Sequence, residues 1–165
     1  MKTDDTRATL WSLIKDTKFG MLTHRHGDGL LHSHPLTTQN QDIDERDALF
    51  FFVPKDGDVA RHVASDGIVN VSYANTDDDS YVSVAGRAAL VEDASLKQRL
   101  FNAVAKAWFP QGVEDPNLGL LEVRIVEAEY WDSKNSKMVQ LLKMATAAVT
   151  GKPPADMVEH RKVAP

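Results

Sequence analysis

Turn-forming residues between apolar segments constrain the fold of this 165-residue chain more than any other feature. Gly27-Asp28-Gly29 separates Phe19–His26 from Leu30–Thr38, and a second polar turn occupies residues 75–79. Glycine and aspartate at such positions favour β-hairpins. Because a hairpin pairs neighbouring strands in opposite directions, the sequence predicts a mainly antiparallel sheet.

The remaining segments complete a mainly β (α+β) fold. The other predicted strands are Ala48–Val53, Ile68–Ala74, Ser80–Val91 with a bulge at Gly86, and Leu118–Glu129. The predicted helices are residues 5–15, residues 59–65 capped by Asp58, one amphipathic helix from Asp93 to Phe109, and residues 136–149 with Met138, Leu141, Leu142 and Ala145 inward. We expect a six-stranded antiparallel β-barrel with flanking helices, in a domain of residues 1–150 followed by a flexible tail, 151–165.

The composition of the chain excludes several classes of function. A net charge of -5 argues against nucleic-acid binding, and the absence of cysteine excludes disulfides and thiol chemistry. The N-terminus is polar and no long apolar run follows it, so we predict neither a signal peptide nor a membrane segment. We therefore expect a cytoplasmic protein.

The segment His32-Ser33-His34-Pro35-Leu36 lies inside a predicted strand. Proline cannot donate to a strand ladder, so it marks an edge, a bulge or a turn that faces a ligand. The segment suits a ligand with an apolar face and a hydrogen-bonding edge. On the local pattern alone, an ordinary edge strand protected from aggregation by proline is the better explanation, so the case for a ligand depends on the rest of the chain.

Four histidines are predicted to share one face of the first hairpin. A three-residue turn places His26 opposite Leu30 and His24 opposite His32, and His34 follows on the same face. Imidazoles so arranged can bind zinc or copper. No carboxylate with ligand-like spacing joins them, so we interpret them as strand residues near a ligand cleft and predict no metal.

The third strand and the turn after it can also face a ligand. Three consecutive phenylalanines, 50–52, predict apolar surroundings on both strand faces, either from core or from a cofactor or subunit. The following turn brings Lys55 close to a helix N-terminus, a combination that can hold a phosphate. A plain strand-to-helix connection is the alternative.

Four further segments carry a family resemblance. They are Val69-Asn70-Val71-Ser72-Tyr73, Tyr81-Val82-Ser83-Val84-Ala85-Gly86, Ala107-Trp108-Phe109-Pro110-Gln111-Gly112 with Asp115-Pro116, and Glu129-Tyr130-Trp131-Asp132. With them the chain, from Leu10 to about Asp132, resembles the general stress protein branch of the pyridoxamine 5'-phosphate oxidase-like, flavin-binding split β-barrels. The resemblance implies a homodimer with flavin at the subunit interface, FMN first and FAD as the alternative cofactor, and no other obligate partner.

The same resemblance implies cofactor-binding positions. A family stretch that runs along the flavin ring corresponds to Ser33, His34, Pro35 and Leu36, and the third strand adds contacts at Phe52 and Val53. Trp108 and Trp131 correspond to parts that approach from the other subunit.

At two positions this chain differs from the residues with which the family binds the flavin phosphate. The usual arginine is His34, and the lysine at the start of the short helix is Val59, so phosphate binding falls to Lys55, Ser33, His34, turn amides and Arg61. We therefore expect weaker discrimination by the phosphate end of the flavin.

The resemblance leaves function open between a flavin-binding stress-response protein and a flavin-dependent oxidoreductase. No residue is required as an acid or base, and the catalytic residues and substrate stay unknown. A pyridoxamine 5'-phosphate oxidase proper is a further alternative, although His160-Arg161 does not match its C-terminal substrate motif well. A metal- or haem-binding protein and a non-enzymatic interaction module are the others.

Overall fold

The computed structural model describes residues 2–42, 46–133, 137–154 and 157–163. Its strands are β1 (Phe19–Arg25), β2 (Leu31–Thr37), β3 (Ala48–Pro54), β4 (Ile68–Asn75), β5 (Ser80–Val91), β6 (Leu118–Asp132) and β7 (Glu159–Val163). The helices are α1 (Lys2–Thr17), α2 (Asp58–Ser65), α3 (Ala94–Leu100), α4 (Ala103–Trp108) and α5 (Lys137–Thr150), with a 3₁₀ turn at Gly112–Glu114. The predicted start of the last helix, Ser136, lies outside the described residues.

The strands form one antiparallel sheet in the order β2-β1-β4-β5-β6-β3, with β7 added to β6. The predicted hairpin register is confirmed, because His24 lies opposite His32. The predicted bulge is confirmed as well, by a register shift between Ala85 and Gly86. Within the described ranges, one bridge, between Thr38 and Phe51, joins the two ends of this order, so the sheet curls into a split barrel.

The inner face of the sheet holds the main core. Val71 lies opposite Leu22 on one side and Val84 on the other, and all three are fully buried. Leu10 and Ile14 of α1 pack against the same cluster. Residues that lie opposite one another on neighbouring strands point to the same side of the sheet. His34 lies opposite Leu22, so it also belongs to the inner face.

Both faces of β3 are apolar, as predicted. Leu49, Phe51 and Val53 enter the main core. Phe50 and Phe52 belong to a second cluster under Leu96 and Leu100 of α3. The second face is therefore covered by this chain's own helix.

The predicted single helix from Asp93 to Phe109 is wrong, because it divides at Phe101 and Asn102 into α3 and α4. The Asn102 side chain accepts hydrogen bonds from the backbone N–H groups of Val104 and Ala105 and donates to Gln39 at 2.7 Å. Asparagine at this position makes a better N-cap than a helix-interior residue. The break leaves Val104 and Trp108 exposed, while Ala105 and Phe109 are buried.

Three further predictions need correction. Residues 159–163 are not a flexible tail, since they pair with β6 from Ala128 to Asp132. The apolar residues of α5 do not face inward, because Leu141 and Leu142 are largely exposed and Ala145 is exposed as well; the side chain of Met138 is not among those described. Asp58 is the first residue of α2 rather than its cap, which is Gly57.

Among the described residues, no helix is both long and apolar enough to cross a membrane.

Candidate functional site

The segment Ser33–Leu36 lies on β2, at the edge of the sheet. β2 pairs with β1 along its length, and in the described part of the chain its other side meets β3 only near the Thr38–Phe51 bridge. Strand alternation turns Ser33 and Pro35 to the outer face, and His34 and Leu36 to the inner face. The Ser33 hydroxyl lies 2.7 Å from that of Thr23, so the two predicted phosphate contacts on β2 are on opposite faces.

The aromatic residues implied by the resemblance lie in different surroundings. Trp108 ends α4 with 79% of its surface exposed, next to the buried Phe109. Trp131 lies on the outer face opposite Tyr81, with its ring stacked on His160 at a centroid distance of 4.8 Å. Phe52 meets Phe101 edge-on at 5.8 Å, and Val53 is buried in the core.

The basic residues near α2 have carboxylate partners. Lys55 donates to Glu92 at 2.8 Å, and Arg61 is paired with Asp58 one helical turn away. Val59, at the position of the family's lysine, is buried in the core. A phosphate at the start of α2 would therefore compete with these carboxylates for each cation.

The histidine cluster, consisting of His24, His26, His32, His34 and His62, occupies the hairpin end of the inner face under α2. His24 is fully buried and lies between His34 and His62, with centroid distances of 5.1 and 5.5 Å and both pairs of rings 17° from parallel. His26 packs beside this column, 3.9 Å from His62 and 4.4 Å from His32. The predicted four-histidine face is thus correct, and α2 adds a fifth ring.

Two carboxylates border the histidine cluster, so the expectation that no carboxylate joins it is wrong. Ligand atoms of His26, Asp58 and His62 all lie within 4.8 Å of one another. The same holds for His26, Asp28 and His32, which gives a second group that shares His26.

Two members of the cluster, His34 and His62, favour the neutral imidazole. Burial lowers the pKa of His34, and the nearby His24 lowers it further. The pKa of His62 is lowered by burial and by His26 and His24. A neutral imidazole keeps a free lone pair on one nitrogen, which is the form that binds metals.

Sequence reasoning missed His62 and Asp58. They are four residues apart and therefore on one face of α2. That spacing was the only available signal, because the contact of α2 with the hairpin is a tertiary feature. The structure brings His62 under the hairpin turn, where a Cβ atom added to Gly27 would lie 3.7 Å from its ring.

The fold and its open β2 edge define the class of protein, which is a split β-barrel with flanking helices. The chain belongs to the pyridoxamine 5'-phosphate oxidase-like family, whose model matches residues 5–155. This finding confirms the family predicted from the motifs.

Individual relatives agree with this assignment. Protein bli-3 of Neurospora crassa is 30% identical over 156 residues, which cover 87% of this chain and 73% of that protein. The solved structure named general stress protein 26 from Jannaschia sp. CCS1 superposes with a TM-score of 0.78 at 25% identity, covering 98% of this chain and 99% of that one. The general stress FMN/FAD binding protein from Xanthomonas citri gives 0.70 at 27% identity, with 81% and 93% covered.

Proposed function

We propose that this protein binds a flavin through the open edge of β2, with the isoalloxazine ring along the backbone of Pro35 and Leu36. The observation that carries the proposal is that, among the described residues, β2 has a ladder partner on one side only, and a bridge at Thr38, directly after it, joins its other side to β3. A flavin ring has apolar faces and one edge of hydrogen-bonding atoms, which suits free backbone groups beside apolar side chains. The similarity to an FMN/FAD binding protein supports this choice.

The second wall of the flavin site comes from another copy of the chain. Trp108 is exposed on a short helix that the buried Phe109 anchors, so its indole is held out from the protomer. Exposed tryptophans are rare on monomeric surfaces and common at interfaces, where they stack on planar partners. A homodimer places this indole, together with Trp131, opposite the neighbour's β2.

The residues present fit the flavin ring better than the phosphate. Lys55 and Arg61 are already paired with carboxylates, and burial of His34 disfavours its cationic form. We therefore expect riboflavin and FMN to bind with affinities within about a factor of ten, since one unshielded charge contact contributes about 1 kcal/mol or less at an exposed site.

A bound flavin would supply the electron-transfer chemistry, and the residues described here would bind and orient it. The backbone of Pro35 and Leu36 would lie along the edge of the ring, and Trp108 would exclude water from its far face. We assign no acid–base residue, so the proposal covers flavin binding in a stress-response protein and leaves the substrate open.

The test is a fluorescence titration of flavin-free protein with FMN, FAD and riboflavin. Binding should quench flavin emission because indoles stack on the ring. Trp108→Ala should weaken binding by about tenfold, the usual loss when an interface tryptophan is truncated.

Lys106→Ala is the matched control, since Lys106 is exposed on the same helix, and it should leave the affinity unchanged. Protein that binds none of the three flavins would overturn the proposal. A marked preference for FMN over riboflavin would overturn only the inference that the phosphate contributes little to binding.

A further inference from the structure

We propose that the histidine cluster is a site for a divalent transition-metal ion, with His26, His62 and Asp58 as the ligands. These three residues come from the first hairpin and from α2, and α2 packs over the end of that hairpin. A bound ion would therefore tie the helix to the hairpin.

The first argument concerns unused hydrogen-bonding capacity. Among the described residues, the Nε2 atoms of His24 and His34 and the Nδ1 atom of His26 are buried without a hydrogen-bond partner. His24 is fully buried, and its Nδ1 makes only a long contact of 3.4 Å with the Arg25 carbonyl. Buried polar groups are nearly always satisfied, so three such nitrogens in one cluster offer bonding capacity to a ligand, and that of His26 belongs to one of the proposed metal ligands.

The second argument is geometric. Ligand atoms of His26, His62 and Asp58 lie within 4.8 Å of one another. Metal–ligand distances of about 2.0–2.2 Å place ligand atoms roughly 3–4 Å apart, so side-chain movements of about 1 Å close the site.

The carboxylate remains available to an ion despite its pairing with Arg61. A carboxylate has two oxygens, and Arg61 bonds to Oδ1 of Asp58. The guanidinium then orients the ligand from outside the site, as outer partners of metal ligands commonly do.

The donor set selects the class of metal. Two imidazoles and one carboxylate suit Zn²⁺, Co²⁺ and Ni²⁺, and they disfavour Mg²⁺ and Ca²⁺, which prefer oxygen ligands. Three protein ligands leave a coordination position for water or another molecule. Asp28 and His32 offer a second arrangement with His26, but both come from the same hairpin as His26 and would not link it to α2.

The proposal is independent of flavin binding, because none of the three ligands is a proposed flavin contact. His34 belongs both to the histidine cluster and to the β2 segment proposed to bind flavin, but it is not one of the proposed metal ligands.

The test uses untagged, EDTA-treated full-length protein, since a histidine tag would add competing imidazoles. Titration with Co²⁺ should produce visible absorption that saturates at one ion per chain, and excess Zn²⁺ should remove it. Mg²⁺ should cause no heat of binding in calorimetry. Bound Zn²⁺ should also raise the melting temperature, because the assembled site binds it more tightly than the histidines of the unfolded chain do.

Variants identify the ligands. Asp58→Asn and His62→Gln should each weaken Co²⁺ binding by at least about tenfold, with the metal-free melting temperature as the check on folding. The matched control is His160→Ala, because His160 is the one histidine of this sequence outside the histidine cluster, and it should bind Co²⁺ like the wild type.

Two results would overturn the proposal. One is the absence of cobalt absorption in folded wild-type protein. The other is binding that survives Asp58→Asn and His62→Gln but is lost in Asp28→Asn, which would move the site to the second arrangement.

Discussion

Gly86 illustrates how a single residue controls the curvature of the sheet. It lies at the register shift between β5 and β6, where the strands bend. A Cβ atom added at this position would lie 2.6 Å from the Arg124 carbonyl oxygen and 2.7 Å from a Val123 methyl group. The Arg124 backbone cannot move without disturbing the ladder, so the bulge requires glycine.

Replacing Gly86 with alanine should therefore destabilise the fold. We expect Gly86→Ala to lower the free energy of unfolding by about 1–3 kcal/mol, the usual cost of overpacking a tight site. Urea denaturation followed by circular dichroism measures this difference. Gly27→Ala is the control, because its added Cβ meets only ordinary contact distances, and equal losses in both variants would contradict the explanation.

Residue-level prediction succeeded where the pattern was local. The bulge followed from a glycine inside a predicted strand, and the facing of His24 and His32 followed from alternation and turn length. His62 joins the same histidines from a helix separated from the hairpin by β3, so its partners depend on how α2 packs. The spacing of residues in a single sequence does not show how α2 packs against the hairpin.

Among the strands and helices, too, the elements with a local sequence signal were predicted and the others were missed. The hairpins β1–β2 and β4–β5 were predicted because glycine- and aspartate-rich turns mark them. The break between α3 and α4 was missed because the apolar repeat Leu96, Leu100, Val104, Trp108 continues through it. The capping preference of Asn102 outweighs that periodicity, since the side chain satisfies two backbone N–H groups and reaches Gln39.

β7 was missed because most of its side chains are charged and its sequence has little apolar content. It is attached to β6 by a backbone ladder, by the buried Val163 and by ion pairs. Glu129 contacts Lys162 at 2.8 Å and His160 at 3.0 Å. These partners, Lys162 first, lower the pKa of Glu129 below its ordinary value of 4.5.

This arrangement predicts that β7 detaches at acid pH. A carboxyl group with a lowered pKa stabilises the folded state above its unfolded pKa, and this contribution is lost as pH falls through the folded value. Amide exchange of residues 159–163, expressed as protection factors, should therefore show fraying below pH 4.5.

Two variants separate this effect from general acid unfolding. Glu129→Gln should reduce protection of β7 near neutral pH and flatten its acid dependence. Glu127→Gln should have a smaller effect, because Glu127 is more exposed and its contact with Lys162 is 3.5 Å. Identical pH profiles for the wild type and Glu129→Gln would contradict the assignment.

At the scale of the whole molecule, the outer face of the sheet carries an apolar surface. Phe19 is 61% exposed and Met21 41% exposed on β1, and Ile68 and Tyr81 on β4 and β5 are also exposed. Tyr81 lies opposite Trp131 in the same outer row. A surface of this kind is typical of a subunit interface.

We predict that this surface forms the homodimer. Met21→Glu should convert a dimer into monomers, because burying an unpaired carboxylate costs about 3 kcal/mol or more, roughly a 100-fold increase in the dissociation constant. Sedimentation velocity over a concentration series measures the change. The far-ultraviolet spectrum should stay unchanged, since Met21 does not enter the core.

Lys15→Glu is the control, because it also changes charge at an exposed position but lies on α1. It should remain dimeric. If the wild-type protein sediments as a monomer, the prediction of a homodimer is wrong. If Met21→Glu stays dimeric, the interface lies on another surface, for example at the exposed leucines of α5.

The closure of the barrel by one bridge, at Thr38 and Phe51, has a mechanical consequence. Among the described residues, β2 has a backbone ladder with β1 alone, while Leu36 and His34 pack inward from it. A bound molecule that displaced β2 outward would leave the hydrogen bonds of the other ladders intact, so the barrel would open at this edge, beside the histidine cluster, before it opened anywhere else.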